Sequence, residues 1–285
     1  MRRLKISAIS FLNTAPLMWD FENPTPETRN SLDKFEFSYT VPSKCAQALM
    51  DGTADIGIIP SITYATIPGL AILPDVVIAS KNRVRSILLV HKKPISQVRT
   101  VALDTSSRTS VALTKILLTK FLAGPEREYR EMSPDPEEML RHCDAGLLIG
   151  DPALQVDRAQ YEAIDLAESW RTFTGKPFVF AFWAIRMPAV TDCPEKYDIA
   201  DVFNLSRDHG LEPKTISAIA RLWAPKLGLS EADVCSYLTE NIHYYLDASN
   251  TEGLELFYRY AAELNLISEA PTLRMLGNSA FKLYR

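Results

Sequence analysis

The stretch VALDTSSRTSVALTKILLTKF, from Val101 to Phe121, decides the fold, because its apolar residues change from a strand pattern to helical spacing within a few residues. Residues 101–103 are typical of the end of a buried strand, and apolar residues from Val111 onward recur at helical spacing. The intervening segment, DTSSRTS, is rich in hydroxyls. Such a turn places the unpaired N–H groups of a helix start beside hydroxyls and a guanidinium, the donors that a carboxylate needs. The stretch therefore predicts a strand, an anion-binding turn and a helix.

The candidate ligands in this turn are Ser106, Ser107, Arg108, Thr109 and Ser110. Serine and threonine are also ordinary N-caps that satisfy the first N–H groups of a helix without any ligand. The density of hydroxyls favours a ligand, and the absence of glycine from the turn argues against a phosphate-wrapping loop. Capping alone remains the alternative, and Arg108 is either a clamp or a solvated side chain.

A neighbouring carboxyl group, Asp104, is interpreted as a structural residue. A short acidic side chain at such a position can hold a turn by accepting hydrogen bonds from backbone N–H groups.

The same layout of strand, turn and helix occurs at residues 4–17, where Asn13 follows the first strand. Residues 44–61 also parallel residues 137–153: each has a helix, an acidic turn, an apolar strand and a polar strand end. That strand end carries Ser61 in the first segment and Gly150 with Asp151 in the second. We interpret this as one structural plan repeated in two α/β lobes, whose polar strand ends face a shared cleft.

A chain of 285 residues exceeds the usual size of one compact domain, so two lobes, or one domain with a large insertion, are expected. We predict a first lobe of residues 1–92 plus 186–285 and a second lobe of residues 93–185. The run FVFAFWAI at 178–185 is a buried-strand pattern that returns the chain towards the first lobe. Residues 195–285 have helical patterns and little obvious chemistry.

Composition excludes several functional classes. Hydrophobic content of 47%, charged content of 23% and a formal charge of −4, with no long basic run, describe an ordinary globular protein that does not bind nucleic acid. No apolar stretch is long enough to span a membrane, and the N-terminus has no secretory pattern, which predicts a cytoplasmic protein. The histidines are scattered, as are the cysteines, so we predict no metal site and no disulfide; the cysteines are Cys45, Cys143, Cys193 and Cys235.

Six segments together resemble one family, the chorismate dehydratases of the futalosine route to menaquinone. They are SFLNTAPL at 10–17, GTADIGIIPS at 52–61, VRSILL at 84–89, VALDTSSRTSVAL at 101–113, LLIGDPAL at 147–154 and TGKPFVFAFWA at 174–184. The resemblance implies a cytoplasmic enzyme with the two-lobed fold of type II periplasmic binding proteins and a helical C-terminal region. It also implies a reaction without a cofactor, in which chorismate loses water to give 3-[(1-carboxyvinyl)oxy]benzoate. Whether the protein is a monomer or a homodimer stays open.

The resemblance also suggests roles for the strand-end residues. Chorismate is a dianion, and the turn from Ser106 to Ser110 is predicted to hold one carboxylate. Ser61 and Ser86 are predicted to meet the other end of the substrate, with Gly150 and Asp151 as further binding residues. Asn13 and Ser86 are the predicted catalytic residues, which orient and polarise the reacting groups while the substrate's own side-chain carboxylate acts as base. For Asn13 and Asp151, helix capping is the structural alternative.

Three alternative functions share this fold. A solute-binding protein for a small carboxylate would need export, and a ligand sensor would need an attached signalling module. The third is the 1,4-dihydroxy-6-naphthoate synthase of the same pathway.

Overall fold

A computed structural model describes residues 2–191 and 199–277. Within these residues the chain forms ten strands: β1 Leu4–Ile9, β2 Phe35–Thr40, β3 Ile56–Pro60, β4 Leu70–Ser80, β5 Ile87–His91, β6 Thr100–Leu103, β7 Glu128–Glu131, β8 Ala145–Ile149, β9 Glu162–Asp165 and β10 Phe178–Arg186. They build two five-stranded sheets, with strand orders β2-β1-β3-β10-β4 and β7-β6-β8-β5-β9.

Helices connect and cover the strands. They are α1 Trp19–Glu22, α2 Pro26–Leu32, α3 Pro42–Met50, α4 Arg108–Lys120, α5 Pro136–His142, α6 Gly150–Leu154, α7 Leu166–Thr174, α8 Met187–Thr191, α9 Ile199–Gly210, α10 Pro213–Leu227, α11 Glu231–Ser236 and α12 Ala248–Glu263. Short 3₁₀ turns follow β1, β3 and β5 at Leu12–Met18, Ser61–Thr66 and Ile95–Gln97, and a π-helical turn spans Tyr237–Asn241. Residues 195–198 of the predicted helical region, Cys193 and the last eight residues lie outside the described residues.

The two sheets repeat one structural plan, as the parallel between residues 44–61 and 137–153 predicted. In each, three parallel strands are followed by an antiparallel strand and then an edge strand: β10 runs against β3 and β4, and β5 runs against β8 and β9. The predicted strand, turn and helix around DTSSRTS are also confirmed, since β6 ends at Leu103 and α4 begins at Arg108. The fold is α/β and two-lobed.

Sheet membership contradicts the predicted lobe boundaries at two strands. β5 lies before residue 93 but pairs within the second sheet, and β10, of which all but the last residue lies before residue 186, pairs within the first. The chain therefore crosses between sheets at residues 81–86 and 175–177. Both strands are apolar except for their last residues, His91 and Arg186. An apolar run indicates burial without indicating which strands it pairs with. We propose that the lobes divide at these two crossings.

Helix α4 lies in the core that the two lobes share. Its buried residues include Leu113, Ile116 and Leu117, and it contacts β8 and α7 of the second lobe as well as β10 and α12 of the first. A smaller apolar cluster covers the opposite face of the second sheet, where Met139 of α5 packs. Because apolar residues on both sides hold α4, its N-terminus is fixed at the junction between the lobes.

Candidate active site

A cavity lies between the carboxyl ends of the parallel strands of both sheets, and its empty space, including the part open to solvent, is about 420 Å³. Five of the ten predicted site residues line it: Asn13 from the first lobe, Ser86 from the crossing between the lobes, and Ser107, Ser110 and Gly150 from the second lobe. They come from four separate segments. Among the described residues no ionisable side chain lines the cavity, so an anion bound there would be held by neutral donors.

The remaining lining is apolar: Ile9, Phe11, Pro42, Pro60, Ile78, Ile87, Ile149, Phe180 and Ala181. Phe180 reaches the cavity because β10 has an irregularity between Val179 and Ala181, where its register against β4 shifts by one residue. Bulges of this kind re-aim side chains beside active sites. The sequence did not predict these apolar residues as site residues, because an apolar side chain at a strand end resembles any core residue.

Ser107 and Ser110 form the anion-binding end of α4. Ser107 is the N-cap, and its Oγ lies 3.4 Å from the backbone nitrogen and 3.2 Å from the Oγ of Ser110. Both side chains are buried, at 7% and 0% exposure. The first N–H groups of a 13-residue helix carry a partial positive charge. The arrangement therefore caps the helix and also offers hydroxyls to a ligand, so capping and binding are compatible here.

Ser86 follows a strained residue. Arg85 has a φ of +64°, which a residue with a side chain rarely adopts. The buried Asp165 carboxylate accepts hydrogen bonds from the backbone N–H groups of Val84, at 3.1 Å, and Arg85, at 2.7 Å. The N–H of Gly150 donates to the Ser86 carbonyl at 2.7 Å. Backbone contacts thus fix Ser86 at the cavity, consistent with strain that is retained at a functional position.

Tyr237 belongs to the same group, although sequence reasoning missed it. It lies in the C-terminal helical region, is 1% exposed, and donates a hydrogen bond from its hydroxyl to Ser86 Oγ at 2.8 Å. Burial raises its pKa above the ordinary tyrosine value; the nearby Asp151 charge adds to the rise, whereas hydrogen bonding with Ser86 and Asn13 opposes it. No motif signalled this residue, because one tyrosine in an amphipathic helix resembles core packing.

Asp151 joins the two lobes and does not line the cavity. Its Oδ1 accepts a hydrogen bond from the Leu12 N–H at 3.2 Å, beside Asn13. Burial raises its pKa to about 6, although the Leu12 bond favours the charged form. Gly150 precedes it with a φ of +62°, and a Cβ there would lie 3.0 Å from the Phe11 ring.

The other predicted residues lie behind the cavity wall or on the surface. Ser61 and Thr109 meet between the lobes: their hydroxyls are 3.3 Å apart, and Thr109 Oγ1 accepts from the Ile62 N–H at 3.1 Å. Ser61 also donates to the Val179 carbonyl at 2.8 Å.

Ser106 and Arg108 complete the set. The Ser106 carbonyl accepts from the Ser43 N–H at 3.2 Å, while its side chain donates to Asp104 at 2.6 Å. Asp104 Oδ1 also accepts from the Ser106 N–H at 3.0 Å, as the structural role predicted for Asp104 requires. Arg108 is exposed and lines a separate surface groove together with Lys115.

Similarity to known proteins identifies the family. Residues 4–263 match the sequence model of the menaquinone biosynthesis family. The chain belongs to this family. It is 32% identical over 244 residues to the chorismate dehydratase of Thermus thermophilus, a match that covers 79% of this chain and 86% of the relative. The resemblance carried by the six sequence segments is confirmed.

Solved structures share the fold at low sequence identity. A protein from Archaeoglobus fulgidus superposes with a TM-score of 0.68 at 17% identity, covering 93% of this chain and 98% of its own. The periplasmic aliphatic sulphonate binding protein of Escherichia coli gives a TM-score of 0.66 at 17% identity, with 99% of each chain covered. At this identity the likeness shows the fold alone, and it confirms the two-lobed architecture of periplasmic binding proteins.

Membrane spans and metal clusters are both absent from the described part of the chain. No helix within 2–191 and 199–277 has the length and apolarity to span a membrane. The same residues contain no group of three or more His, Cys, Asp or Glu side chains placed to hold a metal ion.

Proposed function

We propose that this protein is a chorismate dehydratase, which converts chorismate to 3-[(1-carboxyvinyl)oxy]benzoate. Membership of the menaquinone biosynthesis family and the relative from Thermus thermophilus support the proposal. The observation that carries it is the convergence of Asn13, Ser86 and the N-terminus of α4 on one uncharged cavity. We further propose that the enzyme works in the cytoplasm as a monomer or homodimer. Its proposed partner is its small-molecule substrate, chorismate, without nucleic acid or membrane.

One carboxylate of chorismate would bind at the N-terminus of α4. The hydroxyls of Ser107 and Ser110 and the adjacent N–H groups are the donors there, and a partly buried charge–dipole contact of this kind contributes up to about 2 kcal/mol. The ring would pack against apolar lining such as Phe180 and Ile149.

The elimination removes a proton from the carbon that bears the enolpyruvyl ether and the hydroxyl from the neighbouring carbon. None of the described residues brings an ionisable side chain to the cavity lining, so the side-chain carboxylate of the substrate is proposed as the base. Asn13 and Ser86 would orient the reacting groups. Ser86 would donate a hydrogen bond to the departing hydroxyl, and the proton taken up by the substrate carboxylate would pass to that hydroxyl, which leaves as water. Formation of the aromatic ring drives the step, so placement and polarisation carry the catalysis.

The remaining predicted residues are proposed to support this site from behind. Asp151 holds the Leu12 N–H next to Asn13, Ser106 holds the N-terminus of α3, and Ser61 with Thr109 joins the lobes. Arg108, at the surface, is proposed to attract the anionic substrate by charge.

The test is to incubate the purified protein with chorismate and follow the aromatic product by absorbance and mass. We expect Asn13→Ala and Ser86→Ala each to lower kcat/KM by about 10²–10³-fold, the usual cost of removing one polarising donor. Ser80→Ala is the matched control, because Ser80 is buried, lies outside the cavity lining, and has a hydroxyl without a partner among the described residues. Its activity should equal that of the wild type.

The alternatives predict different results. Tight binding of chorismate without product would support a solute-binding protein or sensor. Product from a larger futalosine-derived substrate, and none from chorismate, would support the related naphthoate synthase. Full activity of both Asn13→Ala and Ser86→Ala would contradict the proposed site even if the reaction occurs.

A further inference from the structure

Tyr237 connects the C-terminal helical region to the cavity without lining it. Its hydroxyl donates to Ser86 Oγ at 2.8 Å, and both side chains are buried, at 1% and 0% exposure. Asn13 and Asp151 lie near enough to act on the same hydroxyl. The tyrosine therefore contacts Ser86 directly from behind the cavity wall, with Asn13 close by.

We propose that Tyr237 is a positioning residue that fixes Ser86 as a hydrogen-bond donor towards the substrate. This inference rests on the proposed dehydratase function. A serine hydroxyl has one proton and two lone pairs. Because Tyr237 donates to one lone pair, the Ser86 proton is left to point at another acceptor, and the side of Ser86 open to a ligand is the cavity. Donation into Ser86 also polarises its O–H bond, since consecutive hydrogen bonds strengthen one another.

The π-helical turn that carries Tyr237 grips the Ser86 segment at two points. Besides the bond from Tyr237, Asn241 Nδ2 at the end of the turn donates to the Arg83 carbonyl at 3.2 Å. The Ile242 N–H bonds back to the Tyr237 carbonyl at 3.2 Å, which closes the wide turn. Single π turns within helices recur at functional sites. Here the turn bonds to both ends of residues 83–86, the strained segment that places Ser86 at the cavity.

Tyr237 also keeps its proton over the working pH range. Burial is the main reason that its pKa lies above the ordinary value for tyrosine. It therefore remains a donor, and the direction of the bond to Ser86 does not change between neutral and moderately alkaline pH.

The test is Tyr237→Phe, which removes the hydroxyl and keeps the ring. We expect kcat to fall about 3- to 10-fold, the range of one neutral hydrogen bond, with little change in KM. In the Ser86→Ala background the same change should have no further effect on kcat, because the tyrosine acts through Ser86. A purely structural tyrosine would give the same loss in both backgrounds, and that outcome would overturn the proposal.

Tyr244→Phe is the matched control. Tyr244 is also fully buried, at 2% exposure, but its hydroxyl has no hydrogen-bond partner within the described part of the chain, so its removal should leave kcat unchanged. Thermal unfolding establishes that each variant folds, and Tyr237→Met, whose flexible side chain fills irregular space, serves if Tyr237→Phe does not. An active wild type with an equally active Tyr237→Phe overturns this inference alone, whereas an inactive wild type overturns the proposed function and this inference with it.

Discussion

Gly150 is the residue at which backbone conformation and cavity shape are most closely linked. It has a φ of +62°, and a Cβ would lie 3.0 Å from Phe11, whose ring lines the cavity. We expect Gly150→Ala to lower the free energy of unfolding by at least about 1–2 kcal/mol, the cost of a left-handed residue with a side chain. Activity should fall as well, because Phe11 must move.

Gly228→Ala separates the two effects of this substitution. Gly228 has a similar φ of +65°, but a Cβ added there would meet no atom of the described residues within 4 Å. Its variant should lose similar stability in urea titrations and retain full activity. Equal activity of the two variants would contradict a role for Gly150 in shaping the cavity.

Asp151 makes stability depend on pH. Its pKa in the folded protein is about 6, above the ordinary 3.8, so the folded state binds the proton more tightly than the unfolded state does. The corresponding stability, about 2–3 kcal/mol, is present below pH 4 and is lost as pH rises through 6. Asp151→Asn, which stays neutral, should therefore gain stability relative to the wild type between pH 4 and pH 7.5. Urea unfolding at both pH values measures this difference.

Asp144 provides a control of opposite sign. Burial alone would raise its pKa, but Lys93 and two backbone N–H groups lower it to about 2. The stability from its ionised form is present above pH 4 and is lost on acidification. Asp144→Asn should therefore be most destabilising at pH 7.5, and the same slope for both variants would refute the assignment to Asp151.

At the scale of elements, the N-terminus of α4 has a structural role and a proposed binding role that can be measured separately. We expect Ser107→Ala to lower the free energy of unfolding by about 1 kcal/mol through loss of the cap. It should also raise KM for chorismate about 10-fold, the effect of about 1.4 kcal/mol in binding. Asp135→Ala removes the N-cap of α5, which accepts from the Glu138 N–H at 3.0 Å and lies outside the cavity lining. It should lower stability alone, and an equal rise in KM would argue against the carboxylate site.

Elements with strong local signals could be predicted from the sequence. The helix start at the hydroxyl-rich turn before α4 and the buried strand β10 can each be predicted from about ten consecutive residues. The π-helical turn at Tyr237–Asn241 could not be predicted, because its wide hydrogen-bonding pattern depends on contacts with residues 83–86, about 150 positions away in the sequence. The apolar half of the cavity was missed for a similar reason, since it forms only when both sheets are in place.

At the scale of the whole molecule, Thr109 joins the lobes through its side chain. We expect Thr109→Val to lower the free energy of unfolding by about 1–3 kcal/mol, because the buried Ile62 N–H loses its acceptor. Thr114→Val is the matched control within α4: Thr114 is equally buried and donates to the Ser110 carbonyl of its own helix, at 2.8 Å. Its loss should be about 1 kcal/mol or less. Urea titrations of both variants give the comparison, and equal losses would show that the contact between lobes adds nothing.

The lobe boundaries show where sequence patterns stop being informative. The repeated order of helix, turn and strand predicted two similar lobes, and the two strand orders confirm this prediction. The prediction was wrong about β5 and β10 because hydrophobicity reports burial, whereas the partner of a strand is determined by the chain path in three dimensions.

The position of β10 has a consequence for how the chain matures as it leaves the ribosome. β5 to β9 are contiguous in sequence, so the second lobe can complete its sheet once residue 165 has emerged. The first lobe begins earlier but finishes later, because β10 must insert between β3 and β4, which are already made. Until residue 186 has emerged, the edges of β3 and β4 that face each other lack the strand that pairs with them in the finished sheet. Chaperone demand during synthesis should therefore concentrate on the first lobe.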